Sequence, residues 1–313
     1  MRFMKSVFFY FFILLNLFEI NAQIDTSYTV FSTYNKEIKK FPFIEIVKER
    51  KYKNLDFSLD IVYNSLDSRE LHLDAYYKKG KKPQPAVILI HGGGWKSGNK
   101  SQMKIFAQEI ASKGYSCFSI EYRLSPEAQY PAAIFDVKNA IKYIKANAKK
   151  FNVNPDKVAV LGCSSGGQMA ALIGTTNNNL EFESPSGINE NASVQAIIDL
   201  DGILAFKHPE SEEGKVASLW LGGSFDEKPE IWEQASALNH ASASTPPILF
   251  INSDMTRFHA GRTDMISKLN SYKIYSEVKN ISNSPHSFWF FNPWFQPMVK
   301  YTVDFLDKIF KNK

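Results

Sequence analysis

The sequence predicts an α/β fold, a mostly parallel sheet covered by helices on both faces. Three observations carry that expectation. Ala86 to Ile90 is apolar at every position, as expected of a strand buried on both faces. From there strand-like and helix-like segments alternate, the pattern that parallel pairing needs because each crossover must travel back along the sheet. Finally, the apolar run Val158 to Leu161 passes through a glycine-rich turn, Gly162 to Gly167, into a small-residue helical pattern beginning at Gln168.

The elements follow in order. Of the 313 residues, Met1 to about Ala22 read as a secretory signal. Arg2 and Lys5 precede an apolar run, Val7 to Leu17, that is short for a bilayer span, and Ile20-Asn21-Ala22 offers a small residue at a cleavage point. Residues 23–313 are expected to form one domain, secreted or periplasmic and without a stable membrane anchor, with 23–54 an arm that shows no clear period. Phe57, Leu59, Ile61 and Tyr63 alternate, as do Leu71, Leu73, Ala75 and Tyr77, so two antiparallel strands should meet across a turn near Asn64 to Ser68. Met103, Phe106, Ala107 and Ile110 recur at helical spacing, and Gly114 can close that helix. Tyr115 to Tyr122 is strand-like; Ile134, Val137, Ile141 and Ile144 mark the next helix. Further strands are expected at Val194 to Leu200, Ile248 to Asn252 and Ile274 to Val278. Helices should cover Gly261 to Ser271 and the carboxyl-terminal stretch with Met298, Thr302, Phe305 and Ile309 on one face. The long excursion Phe206 to Thr245, carrying Trp220 and Trp232, is of the kind that builds substrate sites above an α/β sheet.

Charge excludes one class of partner. Removing Arg2, Lys5 and Glu19 with the signal lowers the net charge from +5 to +4, and the cations are dispersed, so there is no nucleic-acid footprint. Export would permit a disulfide, but Cys117 falls in a strand and Cys163 in the glycine turn; both should be free, buried thiols.

The chemistry gathers around the glycines. Gly162-Cys163-Ser164-Ser165-Gly166 fits G-x-S-x-G, the nucleophile elbow, in which flanking glycines let strand and helix close around an exposed serine. His91-Gly92-Gly93-Gly94-Trp95 follows the apolar strand directly. Without Cβ atoms, the amides of Gly93 and Gly94 can join that of Ser165 in holding an oxyanion, and His91 itself reads as structural. A serine hydroxyl needs a base, and the base an orienting acid. Elbow enzymes place the base last, which points among six histidines to His286, with His259 the rival. For the acid, Asp254 follows Ile248 to Asn252, Asp201 follows the strand before, and Asp264 should face out on a helix. Asp136 reads as a structural acceptor. This chemistry calls for no metal or organic cofactor.

Together with Glu121-Tyr-Arg-Leu-Ser-Pro-Glu127, Tyr130-Pro-Ala-Ala133 and Asn154-Pro-Asp156, these motifs resemble the α/β-hydrolase superfamily. More narrowly the chain is similar to the secreted carboxylesterase branch grouped with bacterial feruloyl and acetyl-xylan esterases, and to hormone-sensitive-lipase-like esterases. The resemblance runs from about Phe57 to Lys311. It implies a three-layer sandwich on an eight-stranded sheet, with the strand ending at His91 between the Cys117 strand and the elbow strand. It further implies a serine esterase acting on acetyl or feruloyl esters, with an acylated oligo- or polysaccharide such as xylan or pectin as partner. One departure bears on the acid: Asn252-Ser-Asp-Met-Thr-Arg257 stands where such enzymes keep a His-Gly-x-x-Asp loop. Arg257-Phe-His-Ala-Gly-Arg262 and the aromatic run after His286 also resemble a subgroup associated with pectin-degrading modules. Trp95, Trp220, Trp289 and Trp294 could stack on sugar faces, though at least two should sit in the core, and Arg257 and Arg262 could pair with uronate carboxylates. The competing expectations are an esterase for small lipophilic esters, a prolyl-oligopeptidase-like peptidase lacking its propeller, and a silent carbohydrate-binding module.

Overall fold

The structure, a computed structural model, describes residues 27–311 apart from 68, 81, 184–186 and 213; the expected signal segment lies outside the described residues. In chain order the elements are α1 (Val30–Glu37), β1 (Glu45–Ile46), β2 (Asp56–Ser65), β3 (Glu70–Tyr77), β4 (Gln84–Ile90), α2 (Lys104–Ser112), β5 (Ser116–Ile120), α3 (Ala132–Ala146), β6 (Val153–Cys163) and α4 (Ser165–Thr175). They continue with β7 (Ala196–Leu200), α5 (Gly214–Leu221), α6 (Pro229–Gln234), α7 (Ala237–His240), β8 (Ile248–Asn252), α8 (Arg262–Ser271), β9 (Ser276–Asn280), β10 (Phe291–Asn292) and α9 (Phe295–Phe310).

Eight strands form one sheet in the order β2-β3-β5-β4-β6-β7-β8-β9. β2 pairs antiparallel with β3, and β3 with β5; every later pairing is parallel. This is the α/β-hydrolase arrangement that the motifs led one to expect. The apolar run of β4 shows why a continuous hydrophobic strand reads as doubly covered. Ile88 and Ile90 enter the core on one face with Val158 and Val160 of β6, while Val87 and Leu89 enter the core on the other with Ala159 and Leu161. Because side chains alternate along a strand, neither face could be polar. Cys117 and Cys163 are free and buried on β5 and β6, with β4 between them.

Two expectations need adjusting. The last sheet strand is Ser276–Asn280, two residues beyond the sequence reading, because the burial of β9 is only partial and its apolar residues mark no sharp boundary. The arm, for which the sequence gives no period, is ordered from α1 to β1. Thr29 caps α1 through reciprocal bonds with Ser32, and β1 pairs antiparallel with β10, laying Phe41, Ile44 and Val47 into the core beside Phe291 and Trp294. No described helix is long and apolar enough to cross a membrane.

Candidate active site

The carboxyl ends of β4, β6, β7 and β9 place four loops at one rim of the sheet, the edge where open α/β sheets bind ligands. Ser164 sits between β6 and α4 at φ 56°, ψ −121°, a backbone region that costs an L-residue of order 1–3 kcal/mol. The glycines make that turn possible: a Cβ on Gly162 would lie 1.9 Å from the carbonyl oxygen of Gly166, and one on Gly166 would lie 2.3 Å from that of Ile90. The Ser164 amide donates to Leu200 O at 2.7 Å, which ties the elbow to β7.

The Gly92–Gly94 loop is held by its carbonyls. His91 Nδ1 donates to Gly92 O at 2.8 Å, and the amides of Lys96 and Ser97 donate to Gly93 O at 3.3 and 3.2 Å. In a trans peptide the carbonyl and the following N–H point opposite ways. Fixing Gly92 and Gly93 carbonyls therefore turns the amides of Gly93 and Gly94 away from the loop, and no bond within the described residues engages them. Only glycine fits at Gly93, where φ is 131° and a Cβ would meet Ser97 O at 2.0 Å. The Ser165 amide opens α4, where helix geometry leaves it without an intrahelical acceptor. His91 is buried and stacked on Tyr122 at 4.4 Å, and burial pushes its imidazole down to about 4, so it is a neutral brace as expected.

His286 meets Ser164. Its Nε2 accepts from Ser164 Oγ at 2.8 Å, and its Nδ1 donates to Asp201 Oδ2 at 3.0 Å. The expectation that Asp254 orients the base is corrected by this geometry. Asp254 is exposed and its Oδ2 accepts the amide of Asn283, bracing the loop before His286 rather than reaching the imidazole. The end of β8 and the residue after it instead supply donors: Ser253 N reaches Asp201 Oδ1 at 2.8 Å, Asn252 Nδ2 the same oxygen at 3.3 Å, and Ser253 Oγ the other oxygen. His259 Nε2 lies 3.5 Å from Asp201 Oδ1, so the rival base faces the acid and not the serine. Burial alone would raise the Asp201 carboxyl, but the imidazoles of His259 and His286 and the Ser253 hydroxyl hold it down at about 2. Asp264 pairs with His208 Nε2 at 2.9 Å on the surface, and Asp136 is buried under a two-nitrogen clamp from Arg123.

A cavity of about 220 Å³ opens beside Ser164, lined by Gly94, Trp95, Gln168, Ile203, Val216 and Phe258 among others. Of the residues expected to touch substrate, Trp95 and Arg257 line it. Trp95 is fixed from behind by a stack on Trp220 at 4.8 Å and a bond to Gln168 Oε1 at 3.0 Å. Trp289, Trp294 and Arg262 do not line it, which corrects their assignment as substrate contacts. Trp294 packs edge-on against Phe41 and Phe43 of the arm, and Trp289 packs against the His286 ring at 5.2 Å. Arg262 Nη1 donates to Asn252 Oδ1 at 2.7 Å and so steadies a residue that itself holds Asp201. The sequence reading missed Phe258, whose ring stacks on His286 at 3.4 Å and carries the Arg257 guanidinium 4.6 Å from its centre. A lone aromatic in a polar loop, next to a candidate histidine, was the available signal.

The chain is similar to proteins of known kind. It is 30% identical over 188 residues to Esterase LipC of Mycobacterium tuberculosis, an alignment covering 58% of this chain and 47% of that one. The chain spans about half the length of such curated relatives. Among solved structures it matches a truncated carbohydrate esterase from gut microbiota, with TM-score 0.69 and 23% identity over 83% of this chain and 99% of that one. It also matches an acetyl ester-xyloside bifunctional hydrolase from Caldicellulosiruptor lactoaceticus, with TM-score 0.70 and 20% identity over 80% and 96% of the two chains. At these identities the structural matches show the shared fold. The family model described as BD-FAE matches residues 73–258, more than half of the sequence and the span that holds the glycine loop, the elbow and Asp201, so the chain belongs to the BD-FAE family.

Proposed function

We propose that the protein is a serine carboxylic ester hydrolase that removes short acyl groups from a carbohydrate alcohol, with Ser164, His286 and Asp201 as its triad. The observation that carries this reading is the unbroken relay from Ser164 Oγ through His286 to a buried Asp201, beside the amides of Gly93, Gly94 and Ser165, which no described residue engages. His286 Nε2 takes the hydroxyl proton as Ser164 Oγ attacks the ester carbonyl. The oxyanion forms against the amides of Gly93, Gly94 and Ser165, each donor of this kind contributing about 2.7–4 kcal/mol in comparable sites. As the C–O bond of the ester breaks, the imidazolium returns its proton to the departing alcohol. Water then repeats the sequence on the acyl-enzyme, with His286 again the base. A cavity of about 220 Å³ is smaller than the roughly 300 Å³ and upward typical of sites for drug-sized ligands, which favours a short acyl group. The names of the two structural neighbours support a carbohydrate as the alcohol. Export rests on the amino-terminal pattern of Arg2, Lys5 and the apolar run after them.

The test is turnover of p-nitrophenyl acetate together with labelling by a fluorophosphonate, whose adduct should map to the peptide bearing Ser164. Absence of both removes the enzyme reading. The acid limb of kcat/KM gives a second expected outcome. His286 must be neutral to accept the proton, and burial lowers it from the usual 6.5 against the opposing hydrogen bond and charge of Asp201. A base with a lowered value keeps working as pH drops below 6.5 and loses activity only on passing its own, lower value. The midpoint of the acid limb should therefore fall below 6.5, and a midpoint at or above it contradicts this electrostatic account.

A further inference from the structure

We infer that the amino-terminal arm builds the alcohol side of this site and that it selects an alcohol bearing a carboxylate. The inference rests on the esterase reading for its direction. In that reaction the departing oxygen takes its proton from His286, so the alcohol must lie on the imidazole's side of Ser164, away from the acyl cavity. A second hollow, of about 520 Å³, lies there. One wall is Pro285, His286 and Ser287, and the facing wall is α1 with the turns on either side of it. Arg257 borders both hollows and thus stands where acyl and alcohol portions of a substrate would divide.

The arm is held as a wall. The Thr29–Ser32 box closes the start of α1, with bonds of 3.0 Å and 2.9 Å, and β1 pairs with β10 a few residues after His286. Its lining is cationic. Lys36, Lys40 and Arg257 face the hollow. Glu37 is the carboxylate among them, 3.5 Å from Lys36, while Glu212 meets Arg257 at 3.8 Å from the acyl side. Among the described residues no carboxylate lies within ion-pair distance of Lys40. The charge is felt at the reaction centre too, since Arg257 and Lys36 both add to the lowering of His286. A neutral sugar gives no use for cations gathered beside a base that they make weaker. A carboxylate on the alcohol supplies the missing partner, and a guanidinium at the junction can hold it in a fixed orientation.

Matched esters test this. One pair is an acetylated methyl galacturonoside with its carboxylate free or methyl-esterified; the other is 4-acetoxybenzoate and its methyl ester. The free acid of a pair should be favoured in kcat/KM by about five- to tenfold, the product of two or three exposed ion pairs. The Lys36→Glu, Lys40→Glu double variant should erase or reverse that ratio, and Arg257→Gln should reduce it. A preference in the sugar pair identifies a uronosyl alcohol, and a preference confined to the benzoate pair identifies a hydroxy-arene acid. A ratio near one in both pairs, or a ratio that the substitutions leave in place, overturns the inference. If no ester is turned over at all, the esterase reading fails separately, and calorimetry with oligogalacturonate decides the subsite. Salt-sensitive binding that the double variant loses supports it, and no binding overturns it.

Discussion

Asp201→Asn is expected to lower kcat by about four orders of magnitude, the scale on which losing the orienting acid costs comparable triads. The reason lies in the donors around it. Asp201 is fully buried and accepts from His286 Nδ1, from the Ser253 amide and hydroxyl, and from Asn252 Nδ2. An asparagine has one acceptor and one donor end. With its oxygen toward His286, its NH₂ faces the Ser253 amide, donor against donor. Turned the other way, its NH₂ faces His286 Nδ1 and favours the tautomer that puts a proton on Nε2, where the base must be free. The first orientation keeps the productive tautomer but is penalised by that clash and lacks the negative charge that stabilises the imidazolium; the second disables the relay. Asp254→Asn touches only the loop before His286, and kcat should stay within about tenfold of the parent. Measured with p-nitrophenyl acetate, with far-ultraviolet circular dichroism to check the fold, a large fall in Asp254→Asn and a small one in Asp201→Asn would reverse the assignment.

The contest between these two aspartates shows where sequence reasoning reaches its limit. Each follows an apolar strand, and the two strands are neighbours in the sheet, so spacing alone could not separate them. What separates them is the polarity of the end of β8 and the residue after it. Asn252 and Ser253 offer donors, which suits a segment that surrounds an acid better than one that provides it. The departure from the His-Gly-x-x-Asp pattern was therefore itself the sign. By contrast, the meeting of Ser164 with His286 was legible because the elbow needs a special backbone and the histidine a fixed chain order, each of which leaves its mark on the sequence. The sheet was legible for a similar reason: burial on two faces leaves no polar position in β4.

The arm was not legible, and the cause is distance. A two-residue strand has no period to detect, and the partner of Glu45 and Ile46 is Asn292 and Phe291, almost the whole chain away. The same pairing explains why Trp289 and Trp294 could be offered as sugar-stacking residues. Without the arm laid over them they sit in a run of aromatics after the candidate base; with it, Phe41 and Phe43 cover Trp294. That cover and the wall beside His286 are one piece of structure, so the segment whose role the sequence left open both closes the second core and shapes the approach to the imidazole.

The elbow gives the other large expected effect, on stability. Gly162→Ala should cost about 3 kcal/mol or more, since the new Cβ would stand 1.9 Å from Gly166 O and 2.1 Å from Gly166 C, backbone atoms that cannot swing aside. Moving Gly166 gives no relief, because it lies against the Ile90 carbonyl on β4. The strained φ of Ser164 depends on that close approach, so the substitution should also release the serine from His286 and abolish fluorophosphonate labelling. At roughly 2–4 °C per kcal/mol for a chain somewhat smaller than this, the melting temperature should drop by about 6–12 °C, or the protein should fail to fold. Gly80→Ala is the matched control. Its Cβ would meet nothing closer than Asn152 Nδ2 at 3.8 Å, and removing a glycine there should leave stability level or raise it by about 0.4–1 kcal/mol. Thermal melts of the two variants beside the parent decide the matter, and a Gly162→Ala protein that melts with the parent would mean that strand and helix do not close on the serine as this geometry requires.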